Sequence, residues 1–219
     1  MEGRPGQLSL FGVAAPFRPV APEPDRPRHG RVKIAYFLAV LPTDAVRRRL
    51  THMRRETVAQ QRLFGRCVAA ERLHVTLAPI LSHEPGALYL GEAAVALVDA
   101  VMSRVAMSPF KVCFDSLQTF RTKKAGTVYD EYPLVLCGSD LPGLARLHDL
   151  IRRSRARFGI HAAMPAGFTP HVTLFYGHRP IAPRDVPPIR WTVHEVALVQ
   201  SFQGQGRHVI LKRWPLGGC

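Results

Sequence analysis

Two histidines set in the same four-residue phrase carry the chemistry of this sequence. His-Val-Thr-Leu occurs at His74-Val75-Thr76-Leu77 and again at His171-Val172-Thr173-Leu174, 97 residues later. Both copies lie in short runs that alternate polar and apolar residues, the pattern of a half-buried strand. Residues two apart in a strand point the same way. His74 and Thr76 therefore share one face, with Leu73, Val75 and Leu77 behind them. His171 and Thr173 share another, backed by Val172 and Leu174. Two such strands turned to one cleft hold the parts needed to hydrolyse a phosphodiester. One imidazole takes a proton from water and the other protonates the leaving oxygen, both near neutral pH. The threonine hydroxyls donate to the non-bridging phosphate oxygens, where charge builds in the transition state. No metal and no cofactor is required, and no H-E-x-x-H or C-x-x-C spacing argues for one. A single H-V-T-L would be an ordinary strand with a polar face; the repetition gives it chemical meaning.

On Arg72-Leu73-His74-Val75-Thr76-Leu77-Ala78 and Phe168-Thr169-Pro170-His171-Val172-Thr173-Leu174, the chain resembles the 2H phosphoesterase superfamily. It resembles more closely the bacterial and archaeal RNA 2',3'-cyclic phosphodiesterases, historically called 2'-5' RNA ligases. Ala197 to Ser201 and Arg207 to Leu211 look like that family's last hairpin, so the likeness runs from about residue 31 to the end. It implies an α+β fold of two pseudo-symmetric lobes, each an antiparallel-rich sheet with helices outside, and an active-site cleft between them. It implies RNA ending in a 2',3'-cyclic phosphate as substrate and a 2'-phosphate as product. Following it, His74 is the acid and His171 the base, roles the residues alone leave interchangeable. Thr76 and Thr173 hold the phosphate. Two positions depart from the family. Pro79-Ile80-Leu81-Ser82 follows the first motif where an apolar residue and Leu-Gly are common, and Tyr176 stands five past the second histidine where many members have Arg. Both bear on substrate preference rather than on reaction type.

The elements that must position these residues are readable from periodicity. Val32 to Leu41 predicts a buried strand. Pro42-Thr43-Asp44 opens a helix, with Thr43 or Asp44 as cap, running to about Phe64. A helix is expected from about Leu88 to Val105 and a strand from Phe110 to near Phe120. Leu134 to Cys137 is a short strand, and Leu141 to Phe158 an amphipathic helix ending at Gly159. After the second motif come a proline-rich link (Pro180, Pro183, Pro187, Pro188) and a closing hairpin. Its strands are Trp191 to Phe202 and His208 to Trp214, with a turn at Gln203-Gly204-Gln205-Gly206. This order is that of an α+β domain.

The chain has 219 residues and a formal charge of +14. That excess favours a polyanionic partner, and with phosphate chemistry in the motifs it points to RNA. Candidate RNA contacts are Arg72, on the face of His74; Arg121, Lys123 and Lys124 in a basic loop between Phe120 and Tyr129; and Tyr176. The arginines of the first helix (Arg47, Arg48, Arg49, Arg54, Arg55) read first as a solvated face. His83, His148, His161, His178, His194 and His208 lack a paired motif and read as structural or surface residues. Four separated cysteines (Cys67, Cys113, Cys137, Cys219) read as buried free thiols. With no apolar run of membrane-spanning length and no signal-peptide pattern, a cytoplasmic monomer without membrane contact is expected.

Residues 1–30 form a leader with six of the nineteen prolines and no sustained period, expected to be disordered. Within it, Gln7-Leu8-Ser9-Leu10-Phe11 resembles the peptide by which bacterial proteins dock on the DNA sliding clamp, with Gln7, Leu10 and Phe11 as anchors. Residues 31–219 form the catalytic domain. Two other functions fit the residues: a phosphodiesterase or ligase acting on 2'-5' linked or small cyclic nucleotides, and a non-catalytic module that binds nucleic acid or the clamp.

Overall fold

The computed structural model describes residues 33–83, 91–123, 130–159 and 167–217. The leader with Gln7, Leu10 and Phe11, and Lys124 of the basic loop, lie outside the described residues. The first strand, β1 (Ile34–Val40), leads into helix α1 (Asp44–Gln60). Thr43 is the cap: its hydroxyl accepts from the Val46 N–H at 3.4 Å. The helix stops at Gln60, short of Phe64, because Gly65–Cys67 form a short strand, β2. A 3-10 turn (Ala70–Arg72) then feeds β3 (Val75–His83). Helix α2 (Gly91–Met102), strand β4 (Phe110–Thr119), a two-residue β5 (Thr122–Lys123) and β6 (Asp130–Cys137) follow. Helix α3 (Pro142–Arg157) starts on a proline, whose missing N–H costs nothing in the first turn. The chain closes with β7 (His171–Gly177), β8 (Arg184–Val193), β9 (Glu195–Phe202) and β10 (Arg207–Pro215).

The main path of the sheet runs β10-β9-β1-β3-β7-β6-β4-β8, antiparallel throughout, with β2 paired to β7 and β5 to β6. It is two four-stranded halves, β10-β9-β1-β3 and β7-β6-β4-β8, meeting at one backbone pair, Val75 with Val172. Each motif strand is the inner edge of its half, so the expected bilobal α+β fold is present. The helices cross the seam: α1 packs on β7 and β8, α3 on β3 and β4. One apolar core lies under both halves. It includes Leu38, Leu50, Val75, Leu77, Leu144, Leu147, Ile151, Val172 and Leu174.

Four expectations change. The run from Trp191 to Phe202 is two strands: it breaks at His194, where the chain leaves β4 and crosses to β1 in the other half. The change of partner falls at two polar residues, His194 and Glu195, between two β-prone runs. Pro187 and Pro188 are within β8 rather than in a link, which β8 tolerates because it is the outermost strand and bulged at that level. Cys67 is an exposed thiol on β2, while Cys137 is buried. Arg54 also leaves the solvated face of α1: it is buried and donates to the Val68 carbonyl, tying the helix to the chain leaving β2. No helix among the described residues is long and apolar enough to cross a membrane.

Candidate active site

The two motifs meet because Val75 and Val172 pair and point into the core, both fully buried. Alternation then turns His74, Thr76, His171 and Thr173 away from that core, to one face. Extending the antiparallel register one residue either way sets His74 against Thr173 and Thr76 against His171, a two-fold arrangement about the seam. The histidines are anchored alike. Nδ1 of His74 donates to the Arg72 carbonyl at 2.6 Å, and Nδ1 of His171 to the Thr169 carbonyl at 2.8 Å. A carbonyl only accepts, so Nδ1 carries the hydrogen and Nε2 is the free nitrogen in the neutral ring. Nε2 of His74 stands 3.1 Å from the Thr76 hydroxyl.

Aromatic rings wall each imidazole. Phe37 stacks on His74 at 4.9 Å between centroids, and Phe120 meets His171 edge-on at 5.0 Å. His208 of β10 completes the first group, 5.3 Å from His74 and 5.7 Å from Phe37. Burial pushes His74 down to about 4; the Arg72 guanidinium and His171 add to this, against the opposing pull of the Arg72 carbonyl. Burial, then His74 and Arg72, push His208 down to about 4. Arg72 is thus beside both rings, with its Nε buried and without a partner among the described residues. The sequence reading set His208 aside as structural. Its place comes from strand register, which the sequence does not display: it pairs with Ser201, which shares its face with Val199 and Ala197 rather than with the core residues Leu198 and Val196.

The remaining candidates divide. Tyr176 shares the face of His171 and Thr173, although simple alternation puts it behind them. Between Leu134/Phe175 and Val135/Thr173 the β6–β7 register shifts by one, leaving Leu174 as an extra residue. The bulge reverses the alternation, so Leu174 and Phe175 are both buried and Tyr176 faces forward. Arg121 and Lys123 pair with Asp130 at 2.8 and 2.9 Å. Lys123 lies opposite Asp130, on the reverse pleat from Thr122 and Glu131. Arg48 and Arg49 of α1 line a groove of about 610 Å³ with Arg184 of β8, apart from the motif residues. His148 of α3 stacks on Phe168, ahead of the second motif, and burial lowers its pKa. Among the described residues no group of three or more His, Cys, Asp or Glu could hold a metal ion.

The face so assembled carries two Nε2 nitrogens and two hydroxyls across a seam, which suits acid/base work on a phosphate. Known proteins share the frame. The family model of the 2'-5' RNA ligase superfamily matches residues 42–205. The apo crystal structure of E. coli LigT superposes with a TM-score of 0.59 at 26% identity, covering 84% of this chain and 98% of LigT. The same protein complexed with 3'-AMP gives 0.57 at 26%, with the same coverage. TT0787 of Thermus thermophilus gives 0.57 at 22%, covering 84% and 98%, a likeness of fold. No curated relative matches the chain by sequence. With three quarters of its length inside the family model and both motifs on one face, the chain belongs to the 2'-5' RNA ligase superfamily, the group of two-histidine phosphoesterases.

Proposed function

We propose that the chain hydrolyses the 2',3'-cyclic phosphate at the end of an RNA, leaving a 2'-phosphate and a free 3'-hydroxyl. The single observation that carries this reading is the matched anchoring of His74 and His171 on either side of the Val75–Val172 pair. His171 takes a proton from water through Nε2, and the oxygen attacks phosphorus. The bond from phosphorus to the 3'-oxygen breaks, and His74 delivers a proton to that oxygen. Thr76 and Thr173 donate to the non-bridging oxygens. Burial keeps the unliganded His74 neutral, so the acid role depends on the bound phosphate, whose negative charge raises the pKa of an adjacent imidazole. Hydrogen bonding of Thr76 to His74 Nε2 fits the resting state, and phosphate takes that place in the complex. That E. coli LigT is known complexed with 3'-AMP supports a nucleotide end in this cleft.

The test is turnover of a short RNA ending in 2',3'-cyclic phosphate, in EDTA, with wild type, His74→Ala and His171→Ala. Wild type is expected to give the 2'-phosphate, and each variant to lose about two to four orders of magnitude. Turnover preserved in either variant rejects the mechanism. Wild type inactive on this end but active on a 2'-5' linked dinucleotide moves the same residues to that bond, the reading favoured by the family's name.

A further inference from the structure

One end of the β7 half presents features that the two-histidine chemistry does not use. Strand β2 is three residues long and lies against the outer part of β7, with Arg66 opposite Tyr176. It sits unusually close: a Cβ on Gly65 would stand 2.0 Å from the Tyr176 carbonyl oxygen, so only glycine permits this approach. The result is an arginine laid over an aromatic ring, with the Arg66 guanidinium 4.9 Å from the Tyr176 centroid. Arg66 is held from the other side by Glu131, at 3.5 Å, yet its side chain is 68% exposed. One carboxylate at that distance leaves most of the five guanidinium N–H groups free. Immediately before the strand stands Phe64, 80% exposed, an apolar ring left in solvent. The neighbouring cations Arg121 and Lys123 are engaged by Asp130 on the reverse pleat. The bulge at Leu174 aims Tyr176 to the side of His171, so this group and the catalytic face are continuous.

An exposed aromatic beside an arginine stacked on a second aromatic is a surface for single-stranded nucleic acid: rings take bases, and the guanidinium takes a phosphodiester. We infer that Phe64, Arg66 and Tyr176 form an outer nucleotide subsite, which holds the RNA strand upstream of its reacting end and makes an oligonucleotide a better substrate than a cyclic mononucleotide. From His171 to Tyr176 the strand advances four extended steps once the bulged residue is discounted, about 13 Å. A nucleic-acid strand covers that span in roughly two to four nucleotides. Arg66 contacts a phosphodiester in that stretch, and Phe64 with the free edge of Tyr176 contacts a base. Glu131, 3.5 Å from the guanidinium, holds it in place over the ring and repels a misplaced phosphate. This inference rests on the proposed function for the identity of the substrate.

The experiment compares kcat/KM for a 2',3'-cyclic mononucleotide and for a four-nucleotide RNA with the same cyclic end, in wild type, Arg66→Ala and Phe64→Ala. Both residues are exposed, so neither change threatens the fold. Wild type is expected to favour the tetranucleotide, and each variant to lower that preference about tenfold, the scale of one base stack or one phosphate contact. The Arg66→Ala preference should also respond less to salt, by about one unit of slope. An unchanged preference, or equal losses on both substrates, overturns the subsite. If wild type turns over neither substrate, the reaction assignment has failed, and a second reading decides the subsite alone. In that case fluorescence anisotropy of a labelled tetranucleotide ending in 2'-phosphate should show weaker binding to Arg66→Ala than to wild type; equal binding overturns it.

Discussion

Val75 and Val172 are the one backbone pair between β3 and β7, and each is the second residue of a His-Val-Thr-Leu motif. The seam that joins the two halves of the sheet is therefore also the axis about which the active face is arranged. Position and chemistry share one contact. A loss of packing there acts on both.

Val172→Ala removes two buried methyl groups at that contact and is expected to cost roughly 2 kcal/mol in stability. Turnover should fall as well, since the spacing of His74 and His171 depends on the pair. Urea unfolding and kcat at a temperature where the variant remains folded check both parts. Full activity in a destabilised variant would show that the helices crossing the seam hold the spacing without it.

The two histidines can be told apart through the leaving group. An aryl phosphodiester with a nitrophenol leaving group needs no protonation, so loss of the acid is tolerated and loss of the base is not. His74→Ala is expected to keep more of its activity on this substrate than His171→Ala does. The opposite order would exchange the roles of acid and base.

His74 and His208 make stability depend on pH. Each has a pKa of about 4 in the fold against an ordinary 6.5, with burial as the main cause. The unfolded chain therefore takes up protons first as pH falls. The contribution from keeping these rings neutral is complete above about 6.5 and is lost as pH drops toward 4. His208→Phe retains a ring beside His74 and Phe37 but removes one of the two titrating groups. Its melting temperature is expected to fall less steeply than wild type between pH 6.5 and 4. Parallel profiles would refute the assignment of His208 to the buried cluster.

Arg155 of α3 is fully buried, and all three guanidinium nitrogens lack a partner among the described residues. Burial drives its pKa down. A charge so placed costs stability, and an apolar side chain of similar length removes that cost. Arg155→Met is expected to raise stability by about 1 kcal/mol or more, read by chemical denaturation. A destabilised variant would mean that the guanidinium has a counter-charge in the folded protein.

The shared facing of His74 with Thr76 and of His171 with Thr173 was legible in the sequence, because two identical tetrads in alternating runs fix which side chains point together. The strand and helix order was legible from periodicity: α1 and α3 carry clear helical periods, and Thr43 caps α1. What could not be read depends on partners. The bulge at Leu174 is set by the register with β6, and nothing in Leu174-Phe175-Tyr176 announces it. His208 gains its place beside His74 from a pairing between the last strand and β9, over a hundred positions away from that motif. The break at His194 is marked in the sequence by the polar pair His194-Glu195 alone, with β-prone residues on both sides that one long strand would also accommodate.

That break has a consequence for how the molecule is made. The half-sheet carrying His74 is built from residues 34–40, 75–83 and 195–215, so its first strand must wait for its last two. On the ribosome, β1 would emerge long before β9 exists to cover its free edge. The β7 half, drawn from residues 110–193, has its strands complete earlier. Synthesis from the N-terminus thus delivers the second half of the active face first. A chain stopped before Glu195 would hold both histidines and still leave β1 with a bare edge where β9 belongs, a surface prone to sticking to other chains.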